Sequence, residues 1–254
     1  MVLDRLNYFN NNISFYNGSV FEYDIKNAYP SLLKQANFDF VDKSLYEDIN
    51  CEIDESNKRD ILIKIGKEIK HNPIISDYLN SNLRHYLKMF QIDNNIDEKE
   101  IISIKKDALF VTTICNHLDY DILNFRIKNR YSLFFYDYIS GFEYYISLEK
   151  GKYSYSIKGL GKEYDINVYN QICKIIYLTL INSDLSLARS IQSMFMNKDP
   201  KCIEFLPEKV YYKDFLYLNK SELDLTEDYK YIDFKSVYFT YYHNPIKTLI
   251  NYLL

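Results

Sequence analysis

The segment from Phe21 to Leu33 constrains the fold more than any other part of the chain. Val20–Ile25 alternates apolar and polar residues, which predicts a β-strand, and this strand carries Asp24 near its end. The Tyr29-Pro30-Ser31 step then predicts a turn that ends the extended conformation, and we expect Leu32-Leu33 to begin a helix. An acid on a rigid strand before a tight turn can bind a divalent metal while a substrate approaches. A strand-to-turn junction with a surface acid remains the alternative.

A second candidate acid lies in the apolar run from Ile101 to Val111, which predicts further β structure. Asp107 stands at the centre of this run. An acid within an apolar strand pattern is costly to bury unless a cation compensates its charge. Asp24 and Asp107 are therefore the two candidate metal ligands.

Both segments resemble catalytic motifs of polymerase palm domains. The order Asp-Ile-x-x-x-Tyr-Pro-Ser-Leu from Asp24 resembles the first motif of family B DNA polymerases and, more distantly, of reverse transcriptases. Ser103–Val111 resembles the third motif, in which family B has two aspartates separated by one residue. Lys105 occupies the position of the first aspartate, whereas Asp107 keeps the second, which is the principal metal ligand in that alignment. In the reverse-transcriptase alignment the principal ligand would be lost.

The resemblance covers residues 21 to 111 and implies a metal-dependent nucleotidyltransferase of DNA polymerase type. Asp24 and Asp107 would be the catalytic residues and would bind Mg²⁺ or Mn²⁺. Ala28 and Tyr29 would lie under the incoming triphosphate. We expect a minimal enzyme or one subunit of a larger complex, with primer-template nucleic acid and nucleoside triphosphates as partners.

Basic residues supply further candidates for nucleotide and nucleic-acid binding. A Lys-rich helix is predicted over 58–70, and its Lys64 and Lys67 are candidate nucleotide ligands. The candidate nucleic-acid-binding residues are Lys105, Lys106, Tyr155, Lys158 and Gly159. Lys neutralises phosphates, Tyr hydroxyls bind them, and Gly lets the backbone approach. A solvated helix face and an ordinary tyrosine-rich strand are the alternatives.

Charge and composition limit the class of partner. The chain has 31 basic and 35 acidic residues and a net charge of -4, whereas a free-standing, tight DNA binder is usually basic. A local basic channel, a partner protein or weak binding is therefore required. The abundance of Asn, Ile, Lys and Tyr indicates AT-rich coding, typical of a low-GC bacterium or its phage. Phage replication or transcription proteins are the expected protein partners.

The remaining patterns predict an α+β fold with an antiparallel palm-like sheet backed by helices. We expect a palm-like domain over 1–150 and a C-terminal α+β extension over 151–254, thumb-like or packed on the palm. Helices are predicted over 58–70 and 76–90, and strands over 134–148, 152–157 and 231–242.

Neither a signal peptide nor an apolar run of membrane-spanning length is recognisable, so the host cytoplasm is the expected location and no membrane partner is expected. The four dispersed cysteines suggest buried thiols in a reducing compartment. His117, Asp119 and Asp121 are interpreted as a polar turn, and a metal cluster is the alternative.

Two alternatives to an active enzyme follow from the same residues. Lys105 in place of an acid is compatible with a degenerate palm that serves as a nucleic-acid-binding or protein-interaction subunit of a phage complex. The acidic net charge also allows a structural or host-interaction protein with no nucleic-acid role.

Overall fold

The computed structural model describes residues 5–36, 38–39, 41, 43–161, 165–212, 216–222 and 229–254. The strands within these residues are β1 (Asn7–Phe9), β2 (Phe15–Ile25), β3 (Ile101–Lys105), β4 (Ala108–Val111), β5 (Phe125–Asp137), β6 (Phe142–Glu149), β7 (Lys152–Lys158), β8 (Lys209–Tyr212) and β9 (Leu216–Asn219). The α-helices are α1 (Ala28–Ala36), α2 (Lys43–Asn50), α3 (Lys58–His71), α4 (Pro73–Asp93), α5 (Ile166–Asn182), α6 (Ser186–Asn197), α7 (Phe234–Val237) and α8 (His243–Leu253).

The first seven strands form one sheet, in the order β1-β3-β4-β2-β5-β6-β7, and β8 pairs with β9 in a separate two-stranded sheet. The pairs β1–β3, β3–β4, β2–β4, β5–β6 and β6–β7 are all antiparallel. The predicted α+β class, with an antiparallel sheet backed by helices, is confirmed.

The backbone contacts group the chain into two compact units. The first comprises residues 1–12 and 19–130, and the second comprises residues 13–18 and 131–254. The predicted division into a palm-like domain over 1–150 and an extension over 151–254 stays a prediction.

The first unit has a core between one face of its strands and its helices. Phe21, Tyr23 and Ile25 alternate along β2 and are buried against α4, whose apolar residues recur every three or four positions. Phe90 of α4 stacks on Phe125 with ring centroids 4.1 Å apart. α4 begins with Pro73. The first turn of a helix tolerates proline, because backbone N–H groups there have no intrahelical acceptor and the missing N–H of proline breaks no hydrogen bond.

The second unit packs β5, β6 and the C-terminal helices around a tyrosine- and phenylalanine-rich core. Phe195 of α6 contacts the rings of Phe234, Tyr238 and Tyr242. The Tyr242 hydroxyl donates a hydrogen bond to the Phe205 carbonyl at 2.7 Å, so its polar atom is paired inside an apolar environment. Many of the tyrosines therefore serve packing in this unit.

The following three predictions about individual elements are wrong. The first helix begins at Ala28 rather than Leu32, because Pro30 lies within the first helical turn, where proline is tolerated. The predicted strand 134–148 is two strands, separated by a turn in which the Asp137 carboxylate accepts backbone N–H groups. The predicted strand 231–242 is helical, with a π-helical segment over Tyr238–Tyr242.

Within the described residues, no helix is long and apolar enough to cross a membrane. Cys115, Cys173 and Cys202 are buried as expected, whereas Cys51 is exposed.

Candidate functional site

The position of Asp24 follows from the alternation of side chains along β2. Phe21, Tyr23 and Ile25 point into the core of the first unit, so Glu22 and Asp24 point to the other face of the strand. The Asp24 side chain is 14% exposed. Its register partner on β4 is Ala108, whose small side chain leaves room beside the carboxylate.

A left-handed turn connects Asp24 to the first helix. Asn27 has a φ of 50°, a conformation that asparagine adopts more readily than most residues. The Asn27 carbonyl accepts the Ser31 N–H at 3.0 Å, which starts α1 immediately after the strand. Ala28 and Tyr29 therefore lie in the first turn of α1, close to the end of β2.

Asp107 lies at the tip of the hairpin between β3 and β4. Lys105 pairs with Ala108, so Lys106 and Asp107 form a two-residue turn. Lys106 has a φ of 57°, which is unusual for a residue with a long side chain. The Ile25 N–H donates to the Asp107 carbonyl at 3.2 Å, and this bond holds the hairpin tip beside the strand that carries Asp24.

The two acids line one cavity of about 300 Å³. Ala28 and Tyr29 line the same cavity, so the structure brings together four of the residues that the sequence nominated. Three basic side chains, Lys58, Arg126 and Lys128, also line it. Carboxylates and cations thus share a small, concave site, which we call the acid cavity.

The electrostatics of the acid cavity show that the two carboxylates interact. Burial raises the pKa of Asp107, and the negative charge of Asp24 raises it further, against the opposing effects of its own backbone N–H, Lys128 and Lys106. Burial, followed by the charge of Asp107, also raises the pKa of the Tyr29 hydroxyl. Burial and the charge of Asp24 therefore destabilise the ionised form of Asp107, and a bound cation would stabilise it.

Basic residues of β5 compensate Asp24. Arg126 Nη2 lies 3.2 Å from Asp24 Oδ2, and Lys128 Nζ lies 3.5 Å from Asp24 Oδ1. Lys128 also lies 3.7 Å from the buried Glu22 carboxylate, which accepts a hydrogen bond from Asn129 at 2.6 Å. Both oxygens of Asp24 thus face a cation.

The nominated lysines of α3 and of the hairpin lie elsewhere in the first unit. Lys64 and Lys67 line a different cavity, beside Asp48, with which Lys64 forms an ion pair. They are six and nine residues after Lys58, which places them on other faces of the helix. Lys105 lies in β3, and Lys106 lies in the hairpin turn and lines a further cavity described below.

The nominated residues of the second unit lie on β7 and directly after it. Tyr155 donates a hydrogen bond from its hydroxyl to the Ile166 carbonyl at 3.2 Å. Gly159 has a φ of 98°, and a side chain there would meet the Gly141 carbonyl oxygen at 3.0 Å, so the backbone geometry explains this glycine. The nucleic-acid-binding roles of Tyr155, Lys158 and Gly159 stay predictions.

Sequence reasoning missed Lys58, Arg126 and Lys128. The signal for the β5 pair was present, because Arg126, Lys128 and Arg130 alternate along the chain and must project from one face of a strand. The strand predicted from the sequence begins only at residue 134, so this alternation falls outside it.

No group of three or more His, Cys, Asp or Glu side chains suited to a metal occurs among the described residues. His117, Asp119 and Asp121 lie in a loop, where Asp119 forms an isolated bridge with Asn124. A metal at the acid cavity would therefore have Asp24 and Asp107 as its protein ligands.

The fold and the cavity define an α+β protein with an interacting acid pair and a basic rim. A family model described as the bacteriophage PBS1 gene 130 protein matches residues 1–231, and the chain belongs to this family. It is thus a phage protein, as the coding composition suggested. A comparison with curated proteins gives no match.

Proposed function

We propose that this chain is a metal-dependent nucleotidyltransferase of DNA polymerase type, acting as a minimal enzyme or as a subunit of a larger phage complex. One observation carries the proposal. Asp24 and Asp107 are distant in sequence, yet they lie on neighbouring antiparallel segments and line one cavity with Ala28 and Tyr29.

The residues present fit a hard divalent cation. Mg²⁺ is commonly bound by one or two carboxylates together with substrate phosphates, rather than by a complete protein cage. Asp24 and Asp107 supply such a minimal set, and their mutual repulsion would favour binding of a cation in the acid cavity. In this class of reaction, bound metal activates a 3′-hydroxyl group and stabilises the leaving pyrophosphate.

The basic rim has a role in the same proposal. Arg126 and Lys128 lie beside Asp24 and compensate its charge. The phosphate oxygens of a triphosphate in the cavity would be alternative anionic partners for Arg126, Lys128 and Lys58. Exchange of Arg126 and Lys128 from Asp24 to phosphate oxygens would release the carboxylate for metal binding. Tyr29 would pack against the sugar of the nucleotide.

A primer-extension assay tests the proposal. Labelled primer on a DNA or RNA template is incubated with deoxy- or ribonucleoside triphosphates and either Mg²⁺ or Mn²⁺. The wild-type protein should extend the primer, and Asp24→Asn and Asp107→Asn should each abolish extension. Asp77→Asn is the matched control, because Asp77 is an exposed acid of α4 that does not line the acid cavity.

Direct metal binding provides a readout that does not depend on turnover. Mn²⁺ titration followed by electron paramagnetic resonance should show a site in the wild-type protein and in Asp77→Asn. Both cavity variants should bind more weakly. Absence of product with every template and nucleotide, together with absence of Mn²⁺ binding, would contradict the proposal.

The ion pairs of Asp24 favour a second candidate function. If Arg126 and Lys128 remain paired with Asp24, this carboxylate does not bind a metal, and the cavity is a basic site on a catalytically inactive palm. The chain would then be a nucleic-acid-binding or protein-interaction subunit of a phage complex. Salt-sensitive binding of primer-template without any extension would favour this function.

A further inference from the structure

A second cavity in the first unit has a composition unlike that of the acid cavity. It has a volume of about 770 Å³ and lies between the N-terminal segment, α3, α4 and the turn of the β3–β4 hairpin. Arg5, Arg84 and Lys106 line it, and none of the described residues that line it is acidic. We call it the basic cavity.

The lining of the basic cavity suits an anionic ligand with several phosphate groups. Three cations, with no acid among the described lining residues, favour an anionic ligand here, although the whole chain carries a net charge of -4. Ser76 and Asn80 of α4 add neutral polar groups, and Asn80 Nδ2 donates to Ser76 Oγ at 3.3 Å. An inorganic phosphate would fill only a small part of this volume.

Tyr29 is common to the basic cavity and the acid cavity, because this residue lines both. The charge of Asp107 contributes to the raised pKa of the Tyr29 hydroxyl, after the larger effect of burial. Lys106, which precedes Asp107 in the chain, lines the basic cavity. An aromatic ring beside a basic groove is the usual combination for single-stranded nucleic acid, since rings stack on bases and cations bind phosphates. A strand bound in the basic cavity would therefore pass Tyr29 before it reached the acid cavity.

We propose that the basic cavity binds the sugar-phosphate backbone of a single nucleic-acid strand, whose end reaches the acid cavity past Tyr29. This inference rests on the proposed function, because it assigns the acid cavity to the reacting end of the strand. The phosphates of a free nucleoside triphosphate have the same chemistry, so the test includes both ligands.

The experiment measures binding in the full-length protein, with EDTA present to prevent turnover. The probes are a fluorescein-labelled 12-nucleotide single-stranded DNA and a fluorescent deoxynucleoside triphosphate, each followed by fluorescence polarisation. The variants are Arg5→Gln and Arg84→Gln, singly and combined. Arg189→Gln is the matched control, since it removes an exposed helical arginine from α6, outside the basic cavity.

Each cavity variant should weaken binding of the DNA strand about five- to tenfold at low salt, and the double variant should weaken it further. The slope of log affinity against log salt should decrease by about 0.7 for each arginine removed. Arg189→Gln should leave both quantities unchanged. Arg5 and Arg84 are exposed, so we expect the variants to fold, and circular dichroism checks this.

Three outcomes would overturn the inference. They are no strand binding by the wild-type protein, equal effects of the cavity and control variants, and a loss confined to the nucleoside triphosphate. Each is distinguishable from failure of the proposed function, which Mn²⁺ binding and primer extension by Asp24 and Asp107 variants test separately.

Discussion

Asp24→Asn and Asp107→Asn should change the stability of the folded protein in opposite directions, although both should abolish primer extension. Asp24 is ion-paired with Arg126 and Lys128, so its neutralisation removes both ion pairs and leaves Lys128 its longer contact with Glu22. Asp107 is partly desolvated and is repelled by Asp24, so its neutralisation removes an unfavourable charge. Asparagine has nearly the shape of aspartate, which isolates the effect of charge.

The size of the Asp24 effect follows from the exposure of its partners. Arg126 and Lys128 are 50% and 46% exposed, so solvent and salt screen both ion pairs. Pairs of this kind contribute about 0.2–1 kcal/mol each, which gives a total loss of about 0.4–2 kcal/mol for the two pairs. For a chain of this length, 1 kcal/mol corresponds to about 2–4 °C in melting temperature. Asp107→Asn should raise the melting temperature instead.

Thermal unfolding without metal measures both effects, and Asp77→Asn is the control. The two substitutions should also be non-additive, because the Asp107→Asn gain depends partly on the charge of Asp24. In 1 M NaCl the Asp24→Asn loss should shrink. A stabilising Asp24→Asn, or a destabilising Asp107→Asn in a protein that retains its circular dichroism, would refute this electrostatic description of the cavity.

Three further predictions concern single residues. The folded state holds the Asp107 proton more tightly than the unfolded state, because the pKa of Asp107 is raised on folding. The unfolding free energy of the wild-type protein should therefore fall relative to that of Asp107→Asn as pH rises from the ordinary aspartate pKa of 3.8 through the raised folded value. Urea unfolding at several pH values measures this trend, which would be absent if the carboxyl group were freely solvated. Tyr23→Phe should cost about 1–3 kcal/mol in urea unfolding, because the buried Cys115 N–H loses the hydroxyl that accepts it at 2.7 Å; an unchanged midpoint would contradict this. Lys106→Gly should raise stability by about 0.5–1 kcal/mol, since glycine adopts a φ of 57° without strain, and should weaken strand binding in the polarisation assay; lower stability would exclude backbone strain at this turn.

The sequence was sufficient for the elements that carry the two acids. Alternation of apolar and polar residues identified the strand that ends near Asp24, and a nearly continuous apolar run identified the β structure around Asp107, whose strands are buried along almost their whole length. Their close approach depends on which strands pair. A single sequence contains no direct signal for the pairing of β2 with β4, and the resemblance to palm motifs supplied that expectation.

The basic side of the site was not predicted, for two physical reasons. The first half of β5 has a run of exposed or polar residues and therefore lacks an apolar alternation, although its arginines and lysine do alternate. On α3, the choice among several lysines depends on how the helix is rotated about its axis, and that rotation is fixed by the burial of Ile61 and Ile65. Lys58, rather than Lys64 or Lys67, faces the acid cavity as a result.

The hydrogen bond from the Lys106 N–H to the Leu6 carbonyl, at 2.6 Å, has a practical consequence for handling the protein. Residues just before β1 brace the hairpin tip, and β1 itself covers the outer edge of β3. Deletion of Leu6 and β1 would therefore loosen the Asp107 turn and expose the edge of β3, and an exposed strand edge promotes aggregation.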